Sequence, residues 1–320
     1  MAKLIGDSTE HLSTHYGTTL GSLLNVTFGN AAELIIATVA ISAGLLDLVK
    51  ASITGAILGN ILLIFGLSIL VGGFRYKEQF FNTENAGFQS SMLFLAIIGL
   101  AVPTILFGTA LAPTDVENQT NIQILSDALA FLLLAVYVAG IIFTFFTHRH
   151  LFVQAHGEED DREQYHKHWT KKKSFLMLGL SMVGVIAVSE ILVGSVEETS
   201  KQFGFGELFV GAIIVGIVGN AAEHSSAVVL ARKGKIDLSI GIAAGSGTQI
   251  ALFVVPILVI IGIIMGQPFT LVFTLFEIAA VLLAAIILNL IAHDGKSNWF
   301  EGVMLTAVYI IIALGFFFIN

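Results

Sequence analysis

The sequence predicts an all-α polytopic membrane protein built as two inverted-topology repeats of up to five helices each, with helices interrupted at the membrane midplane. Three observations lead there. Apolar runs long enough to cross ~30 Å of hydrocarbon recur along the chain. The pentapeptide Gly-Asn-Ala-Ala-Glu occurs twice, at Gly29–Glu33 and Gly219–Glu223. The basic residues fall very unevenly between the two sides that alternating spans define.

The chain is 56% hydrophobic and 12% charged, with a mean hydropathy of +0.89, outside the range of soluble domains. Nine candidate spans lie near 17–46, 51–73, 88–111, 121–147, 174–196, 205–231, 237–264, 269–292 and 299–319. A transmembrane β-barrel would show alternating segments of about ten residues instead. The absence of cysteine excludes disulfides and thiolate metal sites. Met1–Tyr16 is polar and has no apolar core, so no cleavable signal peptide is expected there. The net charge of −8 sits in short loops and points to no nucleic-acid partner; the bilayer is the expected surrounding, and a homo-oligomer is compatible with such a chain.

The polar stretch 148–173 divides the chain into a first repeat, 1–147, and a second, 174–320. Aligned on the pentapeptides, Gly21 pairs with Gly211, Ala37 with Ala227 and Val39 with Val229. With a shift of one residue, Gly59-Asn60-Ile61-Leu62-Leu63 pairs with Thr248-Gln249-Ile250-Ala251-Leu252. A period near 190 residues is too long for a solenoid and suits the duplicated halves of a transporter. The second repeat has five spans and the first four. Pairing Gly6 with Gly194 and Glu10 with Glu198 places Met1 near the end of an opening helix, so that helix is expected to be missing from the first repeat.

When the spans alternate from a first side holding Met1, Lys50 and Lys201 fall on the second side and the other thirteen Lys and Arg residues on the first. The basic-rich side is therefore expected to be cytoplasmic, with the 148–173 linker inside, the chain end outside and the cell membrane as the location. The two pentapeptides then run in opposite directions. A single cysteine introduced at Glu159 is expected to react with a membrane-impermeant maleimide only from the cytoplasm, and one at Thr114 only from outside. The reverse labelling pattern would invert the topology.

A carboxylate within a hydrocarbon layer costs several kcal/mol unless it is partnered, so two at matched places are expected to meet. Gly and Asn tolerate backbone conformations that interrupt a helix, which frees carbonyl oxygens toward a bound ion. Glu33 and Glu223 would supply carboxylate oxygens; Asn30, Asn60, Asn220, Ser246 and Gln249 would supply neutral ones. An all-oxygen cage suits a hard cation, Ca2+ before Mg2+ where the cage is adaptable. Without the cation the two carboxylates repel each other and take up protons as a coupled pair. Proton and metal competing for the same oxygens make a minimal antiport, with no cofactor and no enzymatic chemistry.

Other acids and histidines have weaker claims. Glu190, Glu198, Glu10 and His224 are candidates for the pathway or its gating, and Glu190 and Glu277 lie within apolar spans. His224 follows Glu223 as in a zinc-protease helix, but position 228 is Val, so the second histidine is absent. The linker carries His148, His150, His156, His166 and His168 and the run Glu158-Glu159-Asp160-Asp161, either a solvated connector or a pH-responsive segment.

The two Gly-Asn-Ala-Ala-Glu segments, Asn60-Ile61-Leu62-Leu63, Gly245–Phe253 and the acidic linker resemble the Ca2+/H+ antiporters of the cation/proton exchanger family, in the calcium/cation antiporter superfamily. The resemblance covers essentially the whole chain. Sodium/calcium exchangers of the same superfamily usually carry Gly-Thr-Ser-x-Pro-Glu at this place, and neither copy here does. The resemblance implies that Glu33 and Glu223 bind Ca2+ and H+ alternately, with Asn60, Ser246 and Gln249 nearby. It also implies that the spans preceding each pentapeptide rock past a fixed core. A cation channel without proton coupling and a sodium-coupled exchanger remain the alternatives.

Overall fold

The computed structural model describes residues 1–16, 24, 27–108, 116–148, 151 and 169–319. Most of the 148–173 linker, including Glu159, and Thr114 lie outside the described residues. The fold is nearly all helical. In chain order the helices are α1 (Ala2–Tyr16), α2 (Ala31–Ser42), α3 (Leu46–Gly73), α4 (Thr83–Phe107), α5 (Val116–Ile142), α6 (Lys171–Phe203), α7 (Glu207–Gly219), α8 (Ala221–Arg232), α9 (Ile236–Met265), α10 (Leu275–Ala292) and α11 (Trp299–Phe318).

Among the described residues seven helices are long and apolar enough to cross a membrane, and the bent pair α7–α8 passes the same test of length and composition when taken together. This is an integral membrane protein. The ninth expected span, 17–46, is represented by the twelve-residue α2, because residues 17–23 and 25–26 lie outside the described part. The polar segment 1–16 is a helix whose Ile5 and Leu12, two turns apart, are buried on one side.

Burial sorts the helices by depth. The most apolar stretch of α3 is 83% buried within the protein, whereas that of α5 is 17% buried, so α3 is the central column and α5 presents its side chains outward. Glycine permits the tightest approach in that centre. A Cβ on Gly55 of α3 would lie 1.8 Å from the carbonyl oxygen of Ala212 in α7, so the two backbones touch there. Ile5, Leu12, Ala31, Ala32, Leu178 and Val185 form a separate small cluster joining α1, α2 and α6, apart from the large core around α3, α9 and α10.

Besides a π turn that ends α5, Phe143–Thr147, three helices among the described residues contain internal π turns. Those at Gly59–Ile64 in α3 and Ile250–Val254 in α9 occupy the matched repeat positions; the third is Val210–Val215 in α7. A π turn inserts one residue into the helical ladder and is enriched at functional sites. Where the chain is not helical at depth, side chains satisfy it: Leu271 N–H donates to Ser126 Oγ at 3.0 Å and Phe273 N–H to Thr104 Oγ1 at 3.0 Å.

The end of the bundle carrying Arg75 and Lys235 is tied by a two-residue antiparallel pair, Gln79–Phe80 with Lys296–Ser297. There Asn82 N–H donates to Asp237 Oδ1 at 2.6 Å. At the same end His15 shares a 2.8 Å hydrogen bond with the Trp169 carbonyl, and Lys173 lies 4.6 Å over the Trp169 ring, pinning α1 to the start of α6.

Candidate functional site

Both pentapeptides break their helices, and at the same residue. Asn30 (φ −91°, ψ 14°) and Asn220 (φ −95°, ψ 7°) leave helical geometry for the sparsely populated region near ψ = 0, and new helices start at Ala31 and Ala221. The α7 and α8 axes differ by 61° across this break. Each glutamate is thus the third residue of a half-helix, where the positive end of the helix dipole favours a carboxylate. The half-helix arrangement brings a carboxylate and a helix end to the same point of the fold.

The two halves cross at this point. Glu33 reaches Gly219, where an added Cβ would lie 4.0 Å from Glu33 Oε1, and Glu223 reaches Gly29, where an added Cβ would lie 3.6 Å from Glu223 Oε1. Each carboxylate therefore faces the glycine of the other repeat. The amides cross likewise. Asn30 Nδ2 donates to Gln249 Oε1 at 2.7 Å, and Asn60 Nδ2 donates to Asn220 Oδ1 at 3.3 Å. Since Asn30 matches Asn220 and Asn60 matches Gln249, the two hydrogen bonds join repeat-matched pairs, with donor and acceptor exchanged.

Ser246 closes the cluster. Its Oγ donates to Glu223 Oε2 at 2.5 Å and accepts from Asn60 Nδ2 at 3.2 Å. Asn220 Nδ2 occupies the carbonyl of Gly216 at 3.0 Å, one turn before the break. The two carboxylates are therefore not equivalent: Glu223 is held by a hydroxyl, whereas Glu33 Oε2 is buried with no hydrogen-bond partner among the described residues. Asn60 Oδ1 is in the same condition. Buried oxygens without donors are costly, by about 1–3 kcal/mol each, and ask for a cation, a proton or water. Glu33 also lines a narrow cleft that runs past Ser52, Ile53, Val215 and Val254.

All seven residues expected to bind cation or proton (Glu33, Glu223, Asn30, Asn60, Asn220, Ser246 and Gln249) meet in this one cluster. His224 is 6% exposed, with its ring about 4 Å from where a Gly59 Cβ would stand, and Nε2 has no partner among the described residues. Glu190 and Glu198 on α6 and Glu10 on α1 are exposed, whereas Glu33 and Glu223 are half-buried. Glu277, noticed in the sequence only as an acid in an apolar span, is 1% exposed and closes a capping box at the start of α10 with Thr274. The signal for it was local: Thr274 followed three residues later by Glu. Among the described residues no group of three or more acidic or histidine side chains is gathered to hold a metal. The cluster is two carboxylates set among amides and a hydroxyl.

The sequence profile of the sodium/calcium exchanger protein family matches residues 1–146 and 173–318, both repeats without the linker. The chain belongs to that family. Among its relatives, the Ca2+/H+ antiporter of Synechocystis sp. is 42% identical over 99% of this chain and 88% of its own length. The Ca2+/H+ antiporter ChaA of Bacillus subtilis is 43% identical over 99% of this chain and 88% of its own. The solved structure of native YfkE superposes with a TM-score of 0.82 at 39% identity, covering 99% of this chain and 88% of that one. These full-length relatives support the resemblance to Ca2+/H+ antiporters that the repeated motifs carry. The H+/Ca2+ exchanger CAX, at 16% identity and a TM-score of 0.70, shares the fold of this exchanger-family member.

The glycines of the exchanger family member's two motifs are not steric necessities. A methyl at Gly29 or Gly219 has room, since its nearest neighbours would be Glu223 Oε1 at 3.6 Å in the first case and Ile36 Cδ1 at 3.8 Å and Glu33 Oε1 at 4.0 Å in the second. Gly29→Ala and Gly219→Ala are expected to fold and to raise the half-saturating cation concentration about tenfold, by crowding an apolar group against an oxygen that must be solvated or coordinated. Unchanged half-saturation in transport assays of both variants would remove the crossed glutamate–glycine contact from the site.

Proposed function

We propose that this protein exchanges Ca2+ for H+ across the cell membrane by alternating access, with Glu33 and Glu223 as shared ligands for cation and protons. The observation that carries this reading is the crossing of the two glutamates onto each other's glycines, with Glu33 Oε2 and Asn60 Oδ1 buried and undonated. A Ca2+ ion strips most of its water only for a cage of several oxygens, and the cluster offers carboxylate, amide and hydroxyl oxygens. When the ion leaves, two facing carboxylates accept protons in its place, so the empty carrier returns neutralised. The full-length relatives named for Ca2+/H+ antiport support the same substrates.

Alternating access needs two bodies. The separate cluster of α1, α2 and α6 supports a bundle that rocks against the large core, and the helix breaks at Asn30 and Asn220 are the places where such motion changes ligand geometry. Uptake of ⁴⁵Ca2+ into proteoliposomes, driven by an imposed pH gradient with no sodium, tests the function. Uptake is expected, together with proton movement in the opposite direction. Lower pH on the Ca2+ side is expected to raise the half-saturating Ca2+ concentration. Flux that follows a sodium gradient alone, or conductance with no counter-ion, would overturn the proposal.

A further inference from the structure

A second cavity, with a floor that includes Leu208, Phe273 and Ile319, opens at the end of the bundle opposite Arg75 and Lys235, on the face that the basic residues assign to the outside. Asp47, Lys50, Glu207, Thr274 and Glu277 line it. The three acids stand in the first turns of α3, α7 and α10, so three helix N-termini converge on the cavity. Glu277 is 1% exposed, and its oxygens accept only neutral donors: Thr274 N–H and Thr274 Oγ1 at 2.8 Å each and Thr54 Oγ1 at 3.3 Å. The Lys50 side chain is 14% exposed and lines the cavity with its nearest acid, Asp47, at a loose 3.9 Å.

The repeat supplies an internal control. Asp237 and Ile240 stand where the second half matches Asp47 and Lys50, at the same spacing of three residues. At that opposite end Asp237 is already engaged by Asn82 N–H at 2.6 Å, and the position of the lysine is a buried isoleucine. The second half thus lacks the lysine at the matched position, and the lysine stands with the buried Glu277 on this cavity. An ammonium on a four-carbon stem, weakly paired and facing three carboxylates, occupies the space a hydrated cation would enter.

We propose that Lys50 is a tethered cation that fills this vestibule and lowers its affinity for Ca2+, so that ions leaving the site toward this face are not recaptured. The inference rests on the Ca2+/H+ exchange proposed above and adds to it a residue that makes the two faces unequal. Lys50 does not touch the central cluster; it acts through the field at the mouth.

The test is ⁴⁵Ca2+ flux in right-side-out and inside-out membrane vesicles containing the full chain, with Ca2+ varied on one face at a time. Lys50→Gln is expected to lower the half-saturating Ca2+ concentration at the outer face roughly three- to tenfold, the scale of one partly screened charge, and to leave the inner face unchanged. Lys50→Arg keeps the charge and is expected to match the parent, and adding Glu277→Gln to Lys50→Gln is expected to reverse the gain. If Lys50→Gln shifts both faces equally, depresses flux from both together, or shifts neither, Lys50 is a structural counter-charge and the proposal falls. Loss of proton-driven Ca2+ flux in the parent protein itself would overturn the exchange reading and this inference with it.

Discussion

Glu33→Gln and Glu223→Gln are each expected to reduce proton-driven Ca2+ flux at least ~100-fold while leaving the protein folded in the membrane. The amide is nearly isosteric, so the contact of each side chain with the opposite glycine survives. What disappears is one negative charge in a place screened from water, where loss of a charged partner is felt at roughly 3–5 kcal/mol. The two variants are expected to differ in detail. Glutamine at 223 still accepts the Ser246 hydroxyl, now held at 2.5 Å by a carboxylate oxygen, so the hydrogen-bonded chain from Asn60 through Ser246 remains. Glutamine at 33 places either an amide oxygen or an amide nitrogen where the undonated Oε2 stands, and half of those orientations repel a cation. Flux assays on purified, reconstituted variants, with size-exclusion profiles to establish folding, decide the matter. Normal flux in either variant would sink the shared-site mechanism. A change confined to Ca2+ affinity, with full maximal rate, would make that residue a peripheral ligand.

Gly55→Ala is expected to be the most damaging single methyl in the protein, costing more than ~3 kcal/mol and removing the chain from the folded membrane fraction. Its Cβ would sit 1.8 Å from the Ala212 carbonyl oxygen, a contact with backbone that no rotamer relieves. Gly216 presses on Gly55 from the same helix, with an added Cβ there only 2.8 Å from the Gly55 carbonyl carbon. Separating α3 from α7 also moves Asn60 away from Asn220, which are joined across that interface at 3.3 Å. Gly241→Ala is the matched control: it is also mid-helix, in α9, but no atom lies within 4 Å of the added methyl, so it is expected to be neutral or to gain up to ~1 kcal/mol. Thermal melting in detergent separates the two. Equal stability of Gly55→Ala and the parent would show that α3 and α7 can part without loss.

The crossing geometry explains why function and packing are hard to separate here. The same two helices that touch backbone to backbone at Gly55 carry the amides and one of the helix breaks that build the site. In the membrane, where no aqueous hydrophobic force drives helices together, such close contacts and interhelical hydrogen bonds hold the bundle.

Much of this was legible in the residues because the membrane restricts the choices. Apolar length reported the spans, and an acid inside an apolar run reported a partner, since lipid offers none. The duplicated Gly-Asn-Ala-Ala-Glu pointed to both helix breaks and to Asn30, Glu33, Asn220 and Glu223, and the segments that follow supplied Asn60, Ser246 and Gln249. Tertiary structure alone decided the pairing. Nothing in the sequence says that Glu33 lies on Gly219 and Glu223 on Gly29, or that Ser246 serves one glutamate and leaves the other undonated. The matched π turns at Gly59–Ile64 and Ile250–Val254 were also invisible, because one extra residue per turn leaves no trace in an apolar run. Glu190, Glu198 and Glu10 read like Glu277 as acids near or within spans, yet the first three are exposed and Glu277 is buried beside Lys50. The physical reason is common to all these cases. Hydropathy and repetition record the depth and direction of each helix, which the sequence by itself determined; which face of one helix meets which face of another depends on contacts between residues ~200 positions apart, and only the folded bundle sets those.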